Sequence, residues 1–211
     1  MQDVFIYGAG GLCKVTIDLL RLLGNYHIVG IIDDNLKLQG LSCLDYKIIG
    51  EIDSLKKDSY PNCRVVIGTA KPEVRRTMWD KVTSLGYEPI TLVHPWAYIA
   101  SEVTIGPGTM ILANATVSAG AKIGKGVLIN TGAIIGHDCV VDEFVHIGPG
   151  GRLAGSVKVG SGVFTGIGAM VIEFIKIGEN ALVGAGAVVI NDVPAGTTVV
   201  GNPARIIKRD K

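Results

Sequence analysis

A hexapeptide period runs unbroken from residue 99 to residue 193, and it constrains the fold more than any other feature. The first residue of each hexad is aliphatic, with Thr165 as the polar exception, and the fifth is small or β-branched. The aliphatic column comprises Ile99, Ile105, Ile111, Val117, Ile123, Ile129, Ile135, Val141, Ile147, Leu153, Val159, Val171, Ile177, Val183 and Val189. A fixed period of six is typical of a parallel β-helix, in which each hexad forms one flat side and three hexads close one coil. The first residue then fills the interior, and glycines turn the tight corners.

The first part of the chain alternates short apolar segments with helical patterns. The predicted elements are strands at about residues 4–7, 28–32, 64–67 and 88–92, and helices at about 13–23 and 72–85. Alternating strands and helices predict a parallel sheet with crossover connections, here a small Rossmann-like unit. We therefore expect two domains, residues 1–94 and 95–211.

Three loops follow predicted strands of the first domain, and in such sheets ligands bind outside the carboxyl ends of the strands. Their candidate ligand-binding residues are Gly8, Gly10, Gly11, Lys14, Asp33, Asp34, Gly68 and Thr69. Glycines let a phosphate approach the backbone, and the following helix offers its first N–H groups. As a dinucleotide fingerprint the pattern is imperfect, because Cys13 stands where a third Gly or Ala is needed. The residues alone leave open both a nucleotide site and a plain strand–helix turn.

Residues 18 apart stack in one column of a β-helix, so the outward columns can be compared. One column is apolar apart from a single histidine, and it comprises Met110, Leu128, His146, Phe164 and Leu182. A continuous exposed apolar stripe marks an interface, and closed cyclic assembly is its ordinary outcome. The stripe therefore predicts a cyclic homo-oligomer.

A second column carries the candidate catalytic residue, His137. Its column neighbours Ser101, Ala119 and Gly155 are small and leave a groove beside it. Asp138 follows directly and offers a carboxylate that can orient the ring and stabilise its cation. An ordinary solvated histidine is the alternative interpretation.

Composition excludes several classes of function. A formal net charge of +1 gives no general attraction to nucleic acid or to an anionic membrane. No apolar run approaches the roughly 18 residues that indicate a membrane span. The first residues read as a strand and loop, so no signal peptide is expected. Four cysteines without a CxxC pair favour reduced thiols in a cytoplasmic protein.

Three segments carry a family resemblance: Gly8–Lys14 (GAGGLCK), Asn130–Asp138 (NTGAIIGHD) and Asn191–Lys208 (NDVPAGTTVVGNPARIIK). Together with the hexads they resemble the bacterial nucleotide-amino-sugar N-acetyltransferases and the related sialic acid O-acetyltransferases. The resemblance implies an α/β Rossmann-like unit followed by an all-β left-handed parallel β-helix. It also implies acetyl-CoA as co-substrate, no metal, and a homotrimer with active sites at subunit interfaces.

The resemblance also implies roles for individual residues. His137 would act as general base, with Asp138 raising its basicity. The acetyl-CoA site would comprise His146, Gly155, Ile167, Gly184, Ala185, Gly186, Pro203, Arg205 and Lys208. The glycine-loop, aspartate and Gly68–Thr69 residues named above would bind the nucleotide sugar, with Lys14 as the motif lysine and Asn130 seating the sugar. Leu12 departs from the family pattern, which often has histidine there. At Gly155 the missing side chain would make room for the thioester.

Several functions remain open at the level of sequence. The favoured acceptor is the 4-amino group of a UDP-linked deoxy amino sugar, in glycan or surface-polysaccharide synthesis. GDP- or dTDP-linked sugars and a sialic acid hydroxyl are alternatives. A zinc hydrolyase of the γ-carbonic anhydrase type needs a third histidine, and the hexads carry only His137 and His146. An NAD-dependent enzyme and a non-catalytic sugar-nucleotide-binding module are the remaining alternatives.

Overall fold

The computed structural model describes residues 1–55 and 59–209, and the side chains of these residues except Arg209. The backbone divides into two compact units, Met1–Thr91 and Leu92–Lys211. Each unit is described by itself below.

In the described part of the first unit, five strands form one sheet. Its elements are β1 (Gln2–Tyr7), α1 (Gly11–Leu23), β2 (Tyr26–Ile32), β3 (Ser42–Cys43), β4 (Tyr46–Gly50), β5 (Arg64–Ile67) and α2 (Pro72–Ser84), with 3-10 turns at Leu36–Leu38 and Ile52–Ser54. The strand order is β3-β4-β2-β1-β5, and all pairs are parallel except the β3–β4 hairpin. Helix α1 ends at Gly24, whose φ of 70° lets its N–H bond the Leu20 carbonyl. The observed unit has the predicted parallel α/β architecture.

The strand expected at about residues 88–92 does not form. Only one bridge, from Pro89 to Val65, continues the sheet at this place. Leu92 already belongs to the second unit, in which its N–H donates to the Thr109 carbonyl. The chain therefore leaves the first sheet before a strand can extend.

The second unit is a parallel β-helix of two-residue strands. Its strands are β6 (Leu92–Val93), β7 (Tyr98–Ile99), β8 (Thr104–Ile105), β9 (Met110–Ile111), β10 (Thr116–Val117), β11 (Lys122–Ile123), β12 (Leu128–Ile129), β13 (Ile134–Ile135), β14 (Val140–Val141), β15 (His146–Ile147), β16 (Arg152–Leu153), β17 (Lys158–Val159), β18 (Phe164–Thr165), β19 (Met170–Val171), β20 (Lys176–Ile177), β21 (Leu182–Val183) and β22 (Val188–Val189), followed by β23 (Thr197–Val200) and β24 (Arg205–Arg209). The last two strands form an antiparallel pair that closes the unit.

The short strands stack into three flat faces. The first face is β7-β10-β13-β16-β19-β22, the second is β8-β11-β14-β17-β20, and the third is β6-β9-β12-β15-β18-β21-β23-β24. Within a face, residues 18 apart pair in register, as Thr116 pairs with Ile134 and Leu128 with His146. We call the bend from the first to the second face the first corner, and the bend from the third to the first face the third corner. The predicted coil of three hexads is confirmed.

The interior column is buried and apolar, and its polar member has a specific partner. From Ile111 onward the aliphatic first positions are buried. Thr165 is also buried, at 1% exposure, and its Oγ1 accepts the Gly148 N–H at 3.0 Å. The threonine hydroxyl thus replaces a carbonyl acceptor between coils, which explains a polar residue among aliphatic neighbours.

The apolar stripe differs from the exposed stripe that the sequence suggested. Met110 and Leu128 are already buried in the single chain, at 5% and 1% exposure, while Leu182 is 39% exposed. Among the strand residues of the flat faces, Tyr98 and Met170 of the first face are also exposed, at 64% and 41%. The predicted exposure of the stripe is therefore wrong for Met110, Leu128 and His146, which are buried within one chain.

The hydroxyl of Thr165 gives a stability prediction. We expect Thr165→Val, which keeps the shape of the side chain, to lower the free energy of unfolding by about 1–3 kcal/mol, because a buried N–H loses its acceptor. Chemical denaturation followed by circular dichroism measures the change. Thr104→Val, at an exposed position on the second face, is the control and should change it by less than about 0.5 kcal/mol. Equal stability of Thr165→Val and wild type would contradict the assignment.

Candidate active site

His137 and Asp138 form an exposed pair at the first corner, directly after β13. The His137 Nδ1 lies 2.9 Å from the Asp138 Oδ2, and the two side chains are 67% and 66% exposed. A carboxylate acceptor at Nδ1 fixes the tautomer with the proton on Nδ1 and leaves Nε2 as a base. The corner is held on both sides, because Asp138 N–H donates to the Ala119 carbonyl and the His137 carbonyl accepts from Ser156 N–H. The pair can therefore accept a proton from a bound substrate.

Gly155 has a different relation to the pair from the one expected. A Cβ built on Gly155 would lie 2.6 Å from His137 Cε1 and would overlap Nε2. The space above Gly155 is therefore filled by the imidazole of the previous coil. The histidine ring takes the room that the sequence analysis assigned to the thioester, and the position of the thioester stays a prediction.

Asn130 at the third corner and His146 in β15 of the third face form a second pair. The Asn130 Nδ2 lies 3.2 Å from His146 Nε2, and Asn130 Oδ1 accepts the Thr131 N–H at 2.8 Å. Because the amide oxygen is occupied by a backbone donor, the amide nitrogen donates to Nε2, and the His146 proton resides on Nδ1. His146 is 4% exposed and meets the Phe164 ring edge-on, with centroids 4.7 Å apart. The His146 ring is therefore largely enclosed.

The remaining residues predicted to bind acetyl-CoA divide between the third corner and the closing strands. Ile167 is 63% exposed at the third corner, and Gly184, Ala185 and Gly186 occupy the same corner one coil later. Pro203, Arg205 and Lys208 are exposed in and before β24.

Two groups of predicted site residues therefore lie at different corners of one chain. The first corner carries His137, Asp138 and Gly155. The third corner carries Asn130, Ile167 and residues 184–186, with His146 beside Asn130 on the third face. About six residues of the first face separate the corners, roughly 15–20 Å at the rise of an extended chain. The structure does not bring Asn130 and His146 to His137 within one chain.

The glycine loop of the first unit is shaped by Asp33. Its two carboxylate oxygens accept the Ala9 N–H at 2.8 Å and the Asn35 N–H at 2.9 Å. Gly8 adopts a φ of 110° and packs against the Gly68 backbone, so it needs its glycine conformation. Thr69 follows Gly68 in that neighbouring loop. The predicted loop residues after β1, β2 and β5 are thus brought to one edge of the sheet.

The open side of the loop is at Gly10 and Gly11. A Cβ on either glycine would meet no atom within 4 Å, and Gly10 has an ordinary φ of −73°. No side chain caps the amino end of α1, and Lys14 is exposed in its first turn. A helix N-terminus with a nearby lysine and accessible backbone suits a phosphate group.

Asp34 serves a purpose that the sequence did not indicate. It accepts hydrogen bonds from Tyr7 Oη at 2.5 Å, Lys81 Nζ at 2.7 Å and Ile52 N–H at 3.2 Å. Partial burial opposes ionisation, but these three donors outweigh it and lower the pKa of the carboxyl. Asp34, in the loop after β2, therefore connects this loop to both β1 and α2.

Arg75 is a further residue that sequence reasoning missed. Its guanidinium is buried at 3% exposure, and Nη1 donates to the carbonyls of Thr69 at 3.0 Å and Ala70 at 3.1 Å. Burial lowers its pKa to about 10. An arginine on a mixed helix gives no sequence signal of burial, so only the structure identifies it as the residue that holds this loop.

Comparison with known proteins identifies relatives over the whole chain. The PglD N-terminal domain family matches residues 3–82, and the bacterial transferase hexapeptide (six repeats) family matches residues 156–191. A variant of perosamine N-acetyltransferase from Caulobacter crescentus, solved in complex with CoA and GDP-perosamine, is 32% identical with a TM-score of 0.92, covering 99% of this chain and 97% of that chain. The acetyltransferase domain of PglB from Neisseria gonorrhoeae, in complex with acetyl coenzyme A, is 33% identical with a TM-score of 0.88, covering 98% and 99%.

A curated relative matches a smaller part. UDP-N-acetylbacillosamine N-acetyltransferase from Bacillus subtilis is 36% identical over 118 residues, which are 54% of this chain and 52% of that protein. The structural matches confirm the predicted Rossmann-like unit followed by a left-handed β-helix. No helix within the described ranges has the length and apolar character needed to cross a membrane.

The lowered pKa of Asp34 gives a pH prediction. A carboxyl whose pKa is lower in the folded state stabilises the fold above the unfolded value of about 3.9, and loses this effect as pH falls through the folded value. We expect Asp34→Asn to melt below wild type at pH 7, with the difference shrinking below about pH 4. Thermal denaturation across this range measures it. Asp45→Asn, at an exposed ion pair with Arg21, is the control; a similar loss there would contradict the assignment.

Proposed function

Because this chain belongs to the hexapeptide-repeat N-acetyltransferases of nucleotide-linked amino sugars, we propose that it acetylates the 4-amino group of a nucleotide-linked deoxy amino sugar. Acetyl-CoA is the acetyl donor. The relatives support this reading, since one is solved with CoA and GDP-perosamine and another is named for UDP-N-acetylbacillosamine. The observation that carries the proposal is the exposed His137–Asp138 pair, with Nδ1 occupied and Nε2 directed away from the carboxylate.

The chemistry assigned to the pair is direct transfer. The amine nitrogen attacks the thioester carbonyl carbon, a C–N bond forms, and the C–S bond breaks to release CoA. His137 Nε2 takes the proton from the attacking amine, and the departing thiolate receives a proton to become the CoA thiol. Asp138 keeps the ring in the required tautomer and stabilises its cation. The cysteines of the chain are all buried, which disfavours a cysteine-bound acetyl intermediate.

The first unit is assigned to the nucleotide. Its open glycine loop, the uncapped amino end of α1 and Lys14 suit a diphosphate. Asp33 shapes the loop through two backbone hydrogen bonds, and the Gly68–Thr69 loop is held by Arg75. This assignment leaves the corners of the β-helix for the acetyl-CoA arm and the sugar amine.

The complete transfer site is assigned to a homotrimer. Since the His137 pair and the His146 pair lie at different corners, the site is incomplete within one chain. A cyclic assembly through the first face would set the first corner of one subunit against the third corner of the next. The exposed Tyr98, Ile134 and Met170 side chains of the first face supply the apolar contact for such packing.

The primary test is an assay with several acceptors. The purified protein is incubated with acetyl-CoA and UDP-, GDP- and dTDP-linked 4-amino sugars, and CoA thiol release and product mass are measured. A nucleotide-linked 4-amino sugar should be turned over, and its 4-hydroxyl analogue should not. Turnover of only a sialic acid, or of none of these acceptors, would reject the proposed acceptor.

His137 gives the first kinetic prediction. His137→Ala should lower kcat by about 10²–10⁴-fold, because a general base acts in the transition state. Binding of both substrates should survive, and Asp138→Asn should give a smaller loss of the same kind. His27→Ala, at an exposed histidine of the first unit, is the control. A His137→Ala enzyme with more than about a tenth of wild-type kcat would exclude this role.

Gly10 gives a second kinetic prediction. Gly10→Val should raise KM for the nucleotide sugar at least tenfold and leave KM for acetyl-CoA nearly unchanged, because the new side chain fills the space assigned to the phosphate. The free protein has room for a Cβ, so the melting temperature should stay close to wild type. Equal effects on both KM values would argue against a nucleotide site in this unit.

The first face of the β-helix gives a prediction about assembly. Met170→Asp should dissociate the trimer and reduce activity with it, since burying each such apolar side chain is worth about 1.5–3 kcal/mol. Light scattering and the acetyl-transfer assay measure both effects. Lys158→Asp on the second face is the matched control. A trimeric, fully active Met170→Asp protein would rule out this face as the interface.

A further inference from the structure

We infer that Gly120 and Gly155 are positioning residues for the His137–Asp138 pair, one on each side of it. Gly120 lies one coil before Asp138, and Gly155 lies one coil after His137. The inference rests on the proposed function for its catalytic meaning, but the geometry that carries it belongs to the free protein.

Asp138 occupies the space that a side chain at Gly120 would need. A Cβ at Gly120 would lie 2.5 Å from Asp138 Oδ1 and 3.5 Å from its Cγ. The other carboxylate oxygen of Asp138 is the one bonded to His137 Nδ1. Any residue larger than glycine at position 120 must therefore displace the carboxylate that orients the ring.

His137 occupies the space above Gly155 in the same way. The ideal Cβ would lie 2.6 Å from Cε1 and 3.1 Å from Cδ2, with Nε2 in direct overlap. The obstructing atoms are the far end of a flexible side chain, so a substitution here moves the ring instead of the backbone.

Backbone conformation does not explain either glycine. Position 120 needs a positive φ, but Glu102, Ser156 and Phe174 adopt the same conformation in the same column. Gly155 has no positive φ, and its column also contains Ala119 and Glu173. The β-helix thus accepts other residues in both columns. Gly162 has a similar overlap with Asn180, and Gly120 and Gly155 differ from it because the side chain they would meet belongs to the His137–Asp138 pair.

Losing either glycine has a defined consequence. Without the Asp138 acceptor at Nδ1, the imidazole can carry its proton on either nitrogen, and Nε2 is no longer reserved as the base. Without the space above Gly155, the ring turns away from its present direction. Both changes act on the orientation of the pair and should leave the fold intact.

The first experiment reads the ring directly. The ¹⁵N chemical shifts of the His137 ring in the free, full-length protein report its tautomer, with His137→Ala used for assignment. Wild type should show the proton on Nδ1, and Gly120→Ala should show a mixture of tautomers. Gly162→Ala is the matched control, because Gly162 has a φ of 72° and its Cβ would overlap Asn180 Oδ1 in the same manner, away from the pair. An unchanged His137 tautomer in Gly120→Ala, with Gly162→Ala folded and unchanged, would overturn the inference.

The second experiment separates positioning from a general loss of stability. Gly120→Ala and Gly155→Ala should each lower kcat at least tenfold, with melting temperatures no lower than that of Gly162→Ala. In an Asp138→Ala background, Gly120→Ala should cause no further loss, since the residue it displaces is already absent. A further loss of the same size in that background would show that Gly120 acts in another way and would overturn the inference.

The two proposals fail in different ways. If Gly120→Ala changes the tautomer but not kcat, and His137→Ala is also active, the positioning of the pair stands and the general-base role of His137 falls. If His137→Ala is inactive and Gly120→Ala has a normal tautomer and normal kcat, the general base stands and the positioning role falls.

Discussion

The in-register stacking of hexads every 18 residues is the constraint on which the rest of the second unit depends. Each first-position side chain packs on its equivalents in the coils before and after, and the backbone ladder follows the same spacing. A shift of one residue would move aliphatic side chains outward and corner residues into a face. Because such a shift would expose aliphatic side chains, the place of each outward residue is fixed by its position within the hexad.

The same stacking places exposed polar side chains at the corners. At the corners the backbone bends and side chains project with few neighbours, so a polar pair such as His137 and Asp138 can be exposed and still held. The corner backbone is rigid because each coil bonds to two others, as Asp138 and Ser156 illustrate. In the first unit the loops are held instead by hydrogen bonds of individual side chains, such as those of Asp34 and Arg75. One unit positions groups by repetition and the other by individual polar contacts.

Features that depend on the repeat could be predicted from the sequence. Features that depend on individual side-chain contacts could not. The coil length, the interior column and the pairing of His137 with Asp138 follow from spacing. The burial of Met110 and Leu128 does not, because an outward position can still be covered. Spacing places Gly155 one coil after His137, but it does not show that the His137 ring fills the space left by the missing side chain. The Tyr7–Asp34–Lys81 contacts join residues far apart in sequence, and no periodic signal marks them.

The order of strands on the third face also sets a length. From the strand of His146 to the strand of Arg205 the order is β15-β18-β21-β23-β24, and each step between neighbouring strands is fixed by the backbone ladder at about 4.8 Å. Those steps add to about 19 Å, so a ligand that touches both ends must be elongated. The number of coils therefore sets the distance between these two ends. Point substitutions leave this distance unchanged, whereas the loss or gain of a whole coil would change it by one step, and with it the length of any ligand that could touch both ends.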